Sequence, residues 1–138
     1  VYVVVRTVVC ILQAIPMSWG FGFAKFLGWL AYTVDKRHRK VATENLHFAF
    51  PELRNNPREC DRIVRACFDH FATMVIEIVY APRKMHIHTW RKYGEMVNGE
   101  YIMQGLLNKR PMLIVTAHFG NWEIAGYILG LVGFKTFA

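Results

Sequence analysis

Met112-Leu113-Ile114-Val115-Thr116 is an unbroken apolar run rich in β-branched residues, and it leads directly into Ala117-His118-Phe119-Gly120-Asn121-Trp122-Glu123. Such a run fits a strand buried on both faces of a parallel sheet. Residues 121–131 then read as an apolar helix closed by Gly133, and residues 134–137 open a second strand. Strand, helix, strand implies a right-handed crossover within a parallel sheet. The expected fold class is therefore α/β: N-terminal membrane-associated helices, then an αβ sandwich with a mostly parallel sheet, truncated at its C-terminal end.

The turn after that strand carries the residues with chemical potential. Parallel sheets place ligands at the C-terminal ends of their strands. His118 falls at such an end. Gly120 permits a tight turn, and Asn121 can cap the helix that follows. Glu123 lies in the first helical turn, where the helix dipole favours a negative charge. A carboxylate there can fix one imidazole nitrogen of His118 and leave the other free to accept a proton, which is a general base with its orienting partner. A structural histidine beside a capping acid is the alternative reading of the same two residues. The coincidence of strand end, turn and helix start brings the two readings level.

Upstream, residues 41–50 read as a helix interrupted by Pro51. Asn56-Pro57-Arg58-Glu59 is a helix start, with Asn56 as cap and Pro57 at the first helical position. The helix is expected to run to Tyr80 and to stop at Pro82. Ile63, Cys67, Phe71, Met74 and Ile78 recur at steps of three and four as its apolar face. Asp61, Arg65, Asp69, Thr73 and Glu77 mark another face. Residues 92–98 are short and ambiguous, a strand being one reading, and residues 99–108 are expected to form a helix ended at 109–111.

The N-terminal end is a different kind of sequence. Between Val1 and Val34 only Arg6 and Lys25 are charged. A bilayer core needs about 20 apolar residues in helix, and the uncharged run 7–24 approaches that length, although Pro16, Gly20, Gly22 and Gly28 would break or kink it. Residues 1–35 are expected to form a membrane anchor, and residues 36–138 the N-terminal part of a catalytic domain. The chain opens on Val1 and is expected to be a piece of a longer protein, inactive and prone to aggregate by itself.

Of the 138 residues 54% are hydrophobic and only 20% charged, which excludes a disordered tail. The formal net charge is +7. Lys36, Arg37, Arg39 and Lys40 follow the apolar segment directly, which suits a cytoplasmic loop beside anionic lipid. A second basic run, Arg83, Lys84, Arg91 and Lys92 around Trp90, suits lipid phosphates or an acidic carrier protein, and equally a solvated loop. No nucleic-acid motif is present, and nucleic acid is not an expected partner. Cys10, Cys60 and Cys67 have neither the number nor the spacing of a disulfide framework or a zinc site. His86 and His88 lack further ligands nearby, so no metal is expected.

The string from Thr116 to Glu123, with its His-x4-Glu spacing, resembles the active-site motif of the bacterial lipid A biosynthesis acyltransferases of the lauroyl/myristoyl type. These belong to the glycerolipid acyltransferase superfamily. Asn45-Leu46 followed by Phe50-Pro51-Glu52-Leu53 resembles a further segment of that family. The resemblance covers the family's N-terminal half. It implies transfer of a fatty acyl group from acyl carrier protein or coenzyme A to a hydroxyl of a lipid A precursor. His118 would be the base and Glu123 its partner, with Gly120, Asn121 and Trp122 near the substrate, and no cofactor. It also implies attachment to the bacterial inner membrane, with the site facing the cytoplasm. An acyltransferase for another glycolipid, such as phosphatidylinositol mannosides, and a non-catalytic membrane-associated protein of the same fold are the competing readings.

Overall fold

A computed structural model describes residues 1–108 and 112–135. The chain divides into two compact units, Val1–Tyr80 and Ala81–Ala138. Helices account for nearly all regular structure: α1 (Tyr2–Ala14), α2 (Met17–Val34), α3 (Lys36–Ala49), α4 (Pro57–Lys84), α5 (Gly99–Leu107) and α6 (Trp122–Leu131). Short 3-10 turns occupy Pro51–Asn55 and Trp90–Lys92.

No strand occurs among the described residues, so the expected αβ sandwich with its parallel sheet is not formed. Residues 112–117 carry no regular structure, and Leu113 and Val115 are 90% and 85% exposed. The physical reason lies in hydrogen bonding. A helix satisfies its backbone within itself, whereas a strand needs a neighbour across a ladder. Among the described residues no other segment supplies one. The ambiguous residues 92–98 are turn and irregular chain after the 3-10 turn that ends at Lys92, and not a strand. The helix stop expected at 109–111 and the last two residues of the strand expected over 134–137 lie outside the described residues.

No helix of the described residues is long and apolar enough to cross a membrane. Pro16 ends the expected span: α1 closes at Ala14, Ile15 is extended, and α2 begins at Met17. At 1.5 Å per residue, the 13 residues of α1 reach roughly 20 Å, well short of a ~30 Å hydrocarbon core.

The glycines of α2 do not break it. Gly20, Ala24, Gly28 and Tyr32 recur every four residues and form its buried face. That stripe meets α4. Ala24, Ile76 and Tyr80 make a buried cluster, joined by Leu12, Met17, Phe21 and Ala72. A side chain at Gly20 would press on the Tyr80 ring, and one at Gly28 on the backbone of Asp69. The Tyr80 hydroxyl donates to the Ile15 carbonyl at 3.1 Å, and Gln13 Nε2 donates to the Val79 carbonyl at 2.7 Å. The first of these uses a carbonyl just beyond the C-terminal end of α1, one that no helix of its own satisfies.

α4 starts as its sequence indicates, with Asn56 Oδ1 accepting from the Glu59 N–H at 3.2 Å. It does not stop at Tyr80, however. Pro82 lies inside it, and Met85 N–H still reaches the Ala81 carbonyl at 2.8 Å. Its buried face is also rotated from the expected one. Cys60, Val64, Met74, Ile76, Tyr80 and Ala81 are buried, whereas Phe71 is 61% and Ile78 38% exposed. The four-residue stripe of α2 selects the matching four-residue ridge of α4, as interdigitating helices require.

Asp61 on α4 accepts from the Tyr32 hydroxyl and from Arg65 Nε, the latter at 2.9 Å. The Tyr32 bond first, and Arg65 second, hold its carboxyl below the ordinary carboxylate range. A folded-state pKa below the unfolded one stabilises above the unfolded value, and that contribution disappears as pH falls through the folded one. Asp61→Asn should therefore flatten the acid limb of a urea-unfolding series below about pH 4. An acid limb of unchanged slope would show that this carboxylate contributes nothing to acid sensitivity.

Candidate functional site

The segment carrying His118 belongs to the second unit. α6 is held there by Ile128, which is buried with Ala81, Met85 and Trp90. The Tyr127 hydroxyl donates to the Met85 carbonyl at 3.2 Å. Gly94 lies so close to Ile128 that a side chain there would meet its Cδ1 at 3.0 Å. α6 is thus a fixed support, and the turn before it is positioned by its first residues.

That turn is built from two local devices. Gly120 adopts φ +59°, a left-handed conformation that glycine takes without steric cost. Asn121 caps α6, its Oδ1 accepting from the Ile124 N–H at 3.3 Å. Removing such a cap typically costs about 1 kcal/mol. Asn121→Ala should lower thermal stability by a few degrees, measured by circular dichroism, while Asn121→Asp retains it. Equal losses in both would show that the cap is not what the asparagine contributes.

His118 is exposed and lies in the turn four residues before Trp122, the first residue of α6. Their rings lie 4.5 Å apart between centroids, tilted by 58°. Trp122 Nε1 in turn donates to the Glu123 carboxylate at 3.2 Å. The structure therefore brings His118, Trp122 and Glu123 into one chain of contacts, with the indole in the middle. Among the described residues no hydrogen bond joins His118 directly to Glu123. Catalytic hydrogen bonds are often formed only once substrate is bound. The indole is the element that sequence spacing did not identify as a link. Its position as the first residue of α6, directly after the turn that carries His118, was the available signal.

Phe119, 90% exposed, and Leu113 and Val115 surround this turn in sequence with apolar side chains facing solvent. Such exposure is unusual for a water-facing surface. Among the described residues no group of three His, Cys, Asp or Glu side chains could hold a metal ion. His86 is engaged by the Arg83 carbonyl at 3.1 Å.

Comparison with known protein families matches the bacterial lipid A biosynthesis acyltransferases over residues 1–137. The chain belongs to that family. No curated protein and no solved structure matches it significantly. Membership in the bacterial lipid A biosynthesis acyltransferase family means acyltransferase chemistry with a lipid substrate and an acyl donor in general terms. The family is generally associated with the bacterial membrane.

Within this family setting, Trp122 is open to a direct test. Trp122→Phe keeps an aromatic ring beside His118 and deletes the N–H that engages Glu123. It should reduce acyl transfer by less than His118→Ala does, with folding unchanged. Wild-type turnover in Trp122→Phe would mean that the indole N–H has no part in positioning the carboxylate.

Proposed function

We propose that the protein transfers a fatty acyl group from a thioester donor, acyl carrier protein or coenzyme A, to a hydroxyl of a lipid A precursor. Family membership over residues 1–137 carries this reading. His118 is the general base: it takes the acceptor hydroxyl's proton as the oxygen attacks the thioester carbonyl. The tetrahedral intermediate then collapses, the C–S bond breaks, and the thiol leaves with a proton returned from the imidazolium. Glu123 stabilises that imidazolium, and Trp122 holds Glu123 close to it. The N–H groups at the start of α6, after Asn121, are suitable donors for the developing oxyanion. The chemistry requires no metal or redox cofactor. Gly120, Asn121 and Trp122 border the acceptor.

The apolar surface of the first unit supports a membrane-facing role. On α2, Trp19, Phe23, Phe26, Trp29 and Leu30 are 39–70% exposed, opposite the buried small-residue face. On α1, Val3, Val4, Val8 and Ile11 are 49–73% exposed. Helices of this kind lie in the plane of the interface, with their apolar face among the acyl chains. The protein then works at the cytoplasmic face of the inner membrane, where its lipid acceptor resides.

The test is transfer of a labelled acyl group to a lipid A precursor, with acyl carrier protein and coenzyme A thioesters run in parallel. Transfer from either donor supports the reaction, and the preferred donor identifies the thiol partner. No transfer by folded full-length protein from either donor would refute it.

A further inference from the structure

At the junction of α2, α3 and α4 an open cleft is lined by Tyr32, Lys36, Arg39, Lys40, Thr43, Glu44 and Asp61. The charges in it are not equally engaged. Asp61 is occupied by the Tyr32 hydroxyl and by Arg65. Arg39 is held in place: one N–H donates to the Tyr32 carbonyl at 3.2 Å, and its guanidinium lies 4.9 Å from the Tyr32 ring centroid. An arginine has five such donors, so this anchoring leaves most of them for a ligand. Lys40 approaches Glu44 only at 3.8 Å, with both side chains well exposed, a pairing of little strength. Lys36 has no ion pair among the described residues and stands in the first turn of α3, next to the cap residue Asp35, whose carboxylate is taken up by the His38 N–H and ring. The cleft thus sets three cations against two carboxylates, of which Asp61 is already engaged by Arg65 and Tyr32, and its central arginine is preset on a nearly buried tyrosine.

The surroundings say what kind of anion reaches it. The last turns of α2 expose Trp29, Leu30 and Val34 at 54%, 39% and 69%, immediately before the cations of α3. Apolar and aromatic side chains giving way to lysine and arginine within one turn match the boundary where acyl chains give way to phosphates. A free anion in solution would gain nothing from the apolar edge.

We infer that this cleft binds the phosphate monoester of a membrane-lipid headgroup, with Lys36, Arg39 and Lys40 as its cationic contacts. A monoester offers three terminal oxygens and more negative charge than a diester, and so makes more of the charge-assisted hydrogen bonds that three cations can supply. The inference rests on the membrane-facing reading of α1 and α2, and it is independent of acyl transfer.

Vesicle flotation tests it with the full-length protein. Phosphatidylcholine vesicles carry either phosphatidic acid, a monoester, or phosphatidylglycerol, a diester, matched for surface potential. The protein should bind the phosphatidic acid vesicles about tenfold more tightly. Lys36→Gln combined with Lys40→Gln should abolish the preference. Arg54→Gln combined with Arg58→Gln, the same change of charge at residues outside the cleft, should leave it intact. Circular dichroism confirms that both variants fold. Equal binding to the two vesicle types, or an equal effect of the two double variants, would overturn the headgroup site while leaving the membrane-facing reading standing. Failure of the wild-type protein to bind either vesicle would overturn both. Glycerol 3-phosphate is added as the soluble monoester. Full displacement by it at low millimolar concentration would show a site for free phosphate esters and overturn the commitment to a lipid.

Discussion

His118→Ala in the full-length protein is expected to lower acyl transfer by about 10²–10⁴-fold, the range that general-base assistance contributes, with expression, folding and membrane association near wild type. His118 is exposed and packs on one face of Trp122. Its removal therefore takes away little burial, and any large loss of activity is chemical in origin. Glu123→Ala should also be severe, because the imidazolium then forms without its carboxylate and Trp122 Nε1 loses its acceptor. Combining the two changes should cost little more than the worse one alone, since residues that act as a unit are not additive. Glu123→Asp keeps the charge but shortens the reach, and should fall between Glu123→Ala and wild type. Turnover of His118→Ala at the wild-type level would remove the base from the mechanism. A loss that merely tracks the folded fraction, measured by protease resistance, would assign the histidine a structural role.

The second large effect concerns the seam between α2 and α4. One chemical change, glycine to alanine, is expected to act with opposite signs at two positions six residues apart in the same helix. A Cβ at Gly28 would lie 2.8 Å from the Asp69 Cα and 3.1 Å from its backbone nitrogen. Backbone cannot rotate aside as a side chain can, so α2 and α4 must separate. Overpacking of this sort typically costs about 1–3 kcal/mol, and Gly28→Ala should fall at the upper end. At Gly22 a Cβ meets nothing within 4 Å, and alanine there should gain roughly 0.5–1 kcal/mol by reducing the freedom of the unfolded chain. Urea unfolding followed by circular dichroism measures both. Stabilisation by Gly28→Ala would show that the two helices do not approach as closely as this packing requires.

Much of the local organisation was legible in the chain itself. The cap at Asn56, the helix start at Pro57, the helix over residues 99–108 and the capped helix after Asn121 all follow from short-range chemistry, in which a side chain satisfies a backbone group two or three residues away. Such signals need no partner elsewhere. The apolar run Met112–Thr116 is different. Its composition states that it would be at home in a buried strand, but a strand exists only when another strand completes its ladder, and composition cannot supply that neighbour.

The candidate site divides in the same way. His118, Gly120, Asn121 and Glu123 were marked by their order along the chain, and the cap and the left-handed glycine stand where that order places them. The part played by Trp122 depends on how an indole tilts against an imidazole and aims its N–H at the next residue, which spacing alone does not encode. The cleft around Tyr32 was still less legible. Tyr32 and Asp61 are separated by 29 residues, and their meeting depends on α2 packing against α4. The basic cluster at Lys36 to Lys40 could be read as a charge pattern, but not as three cations sharing a cavity with a tyrosine.

What the sequence by itself determined is the family, through a nearly contiguous motif, together with the positions of helix starts, caps and the proline break at Pro16. Each depends on interactions within one or two turns of chain. What only the tertiary structure decided is which face of each helix is buried. Gly20, Gly22 and Gly28 look in sequence like defects in an apolar helix. Two of them instead form, with Ala24, the face on which α4 closes, and the large residues Trp19, Phe23, Phe26 and Trp29 are turned outward. Hydrophobicity ranks side chains by their cost in water and would place the aromatics inside. Close approach of two helices is governed by shape, and shape favours the small residues. Where the two criteria conflict, only the partner helix settles the outcome, and in α2 that partner is α4.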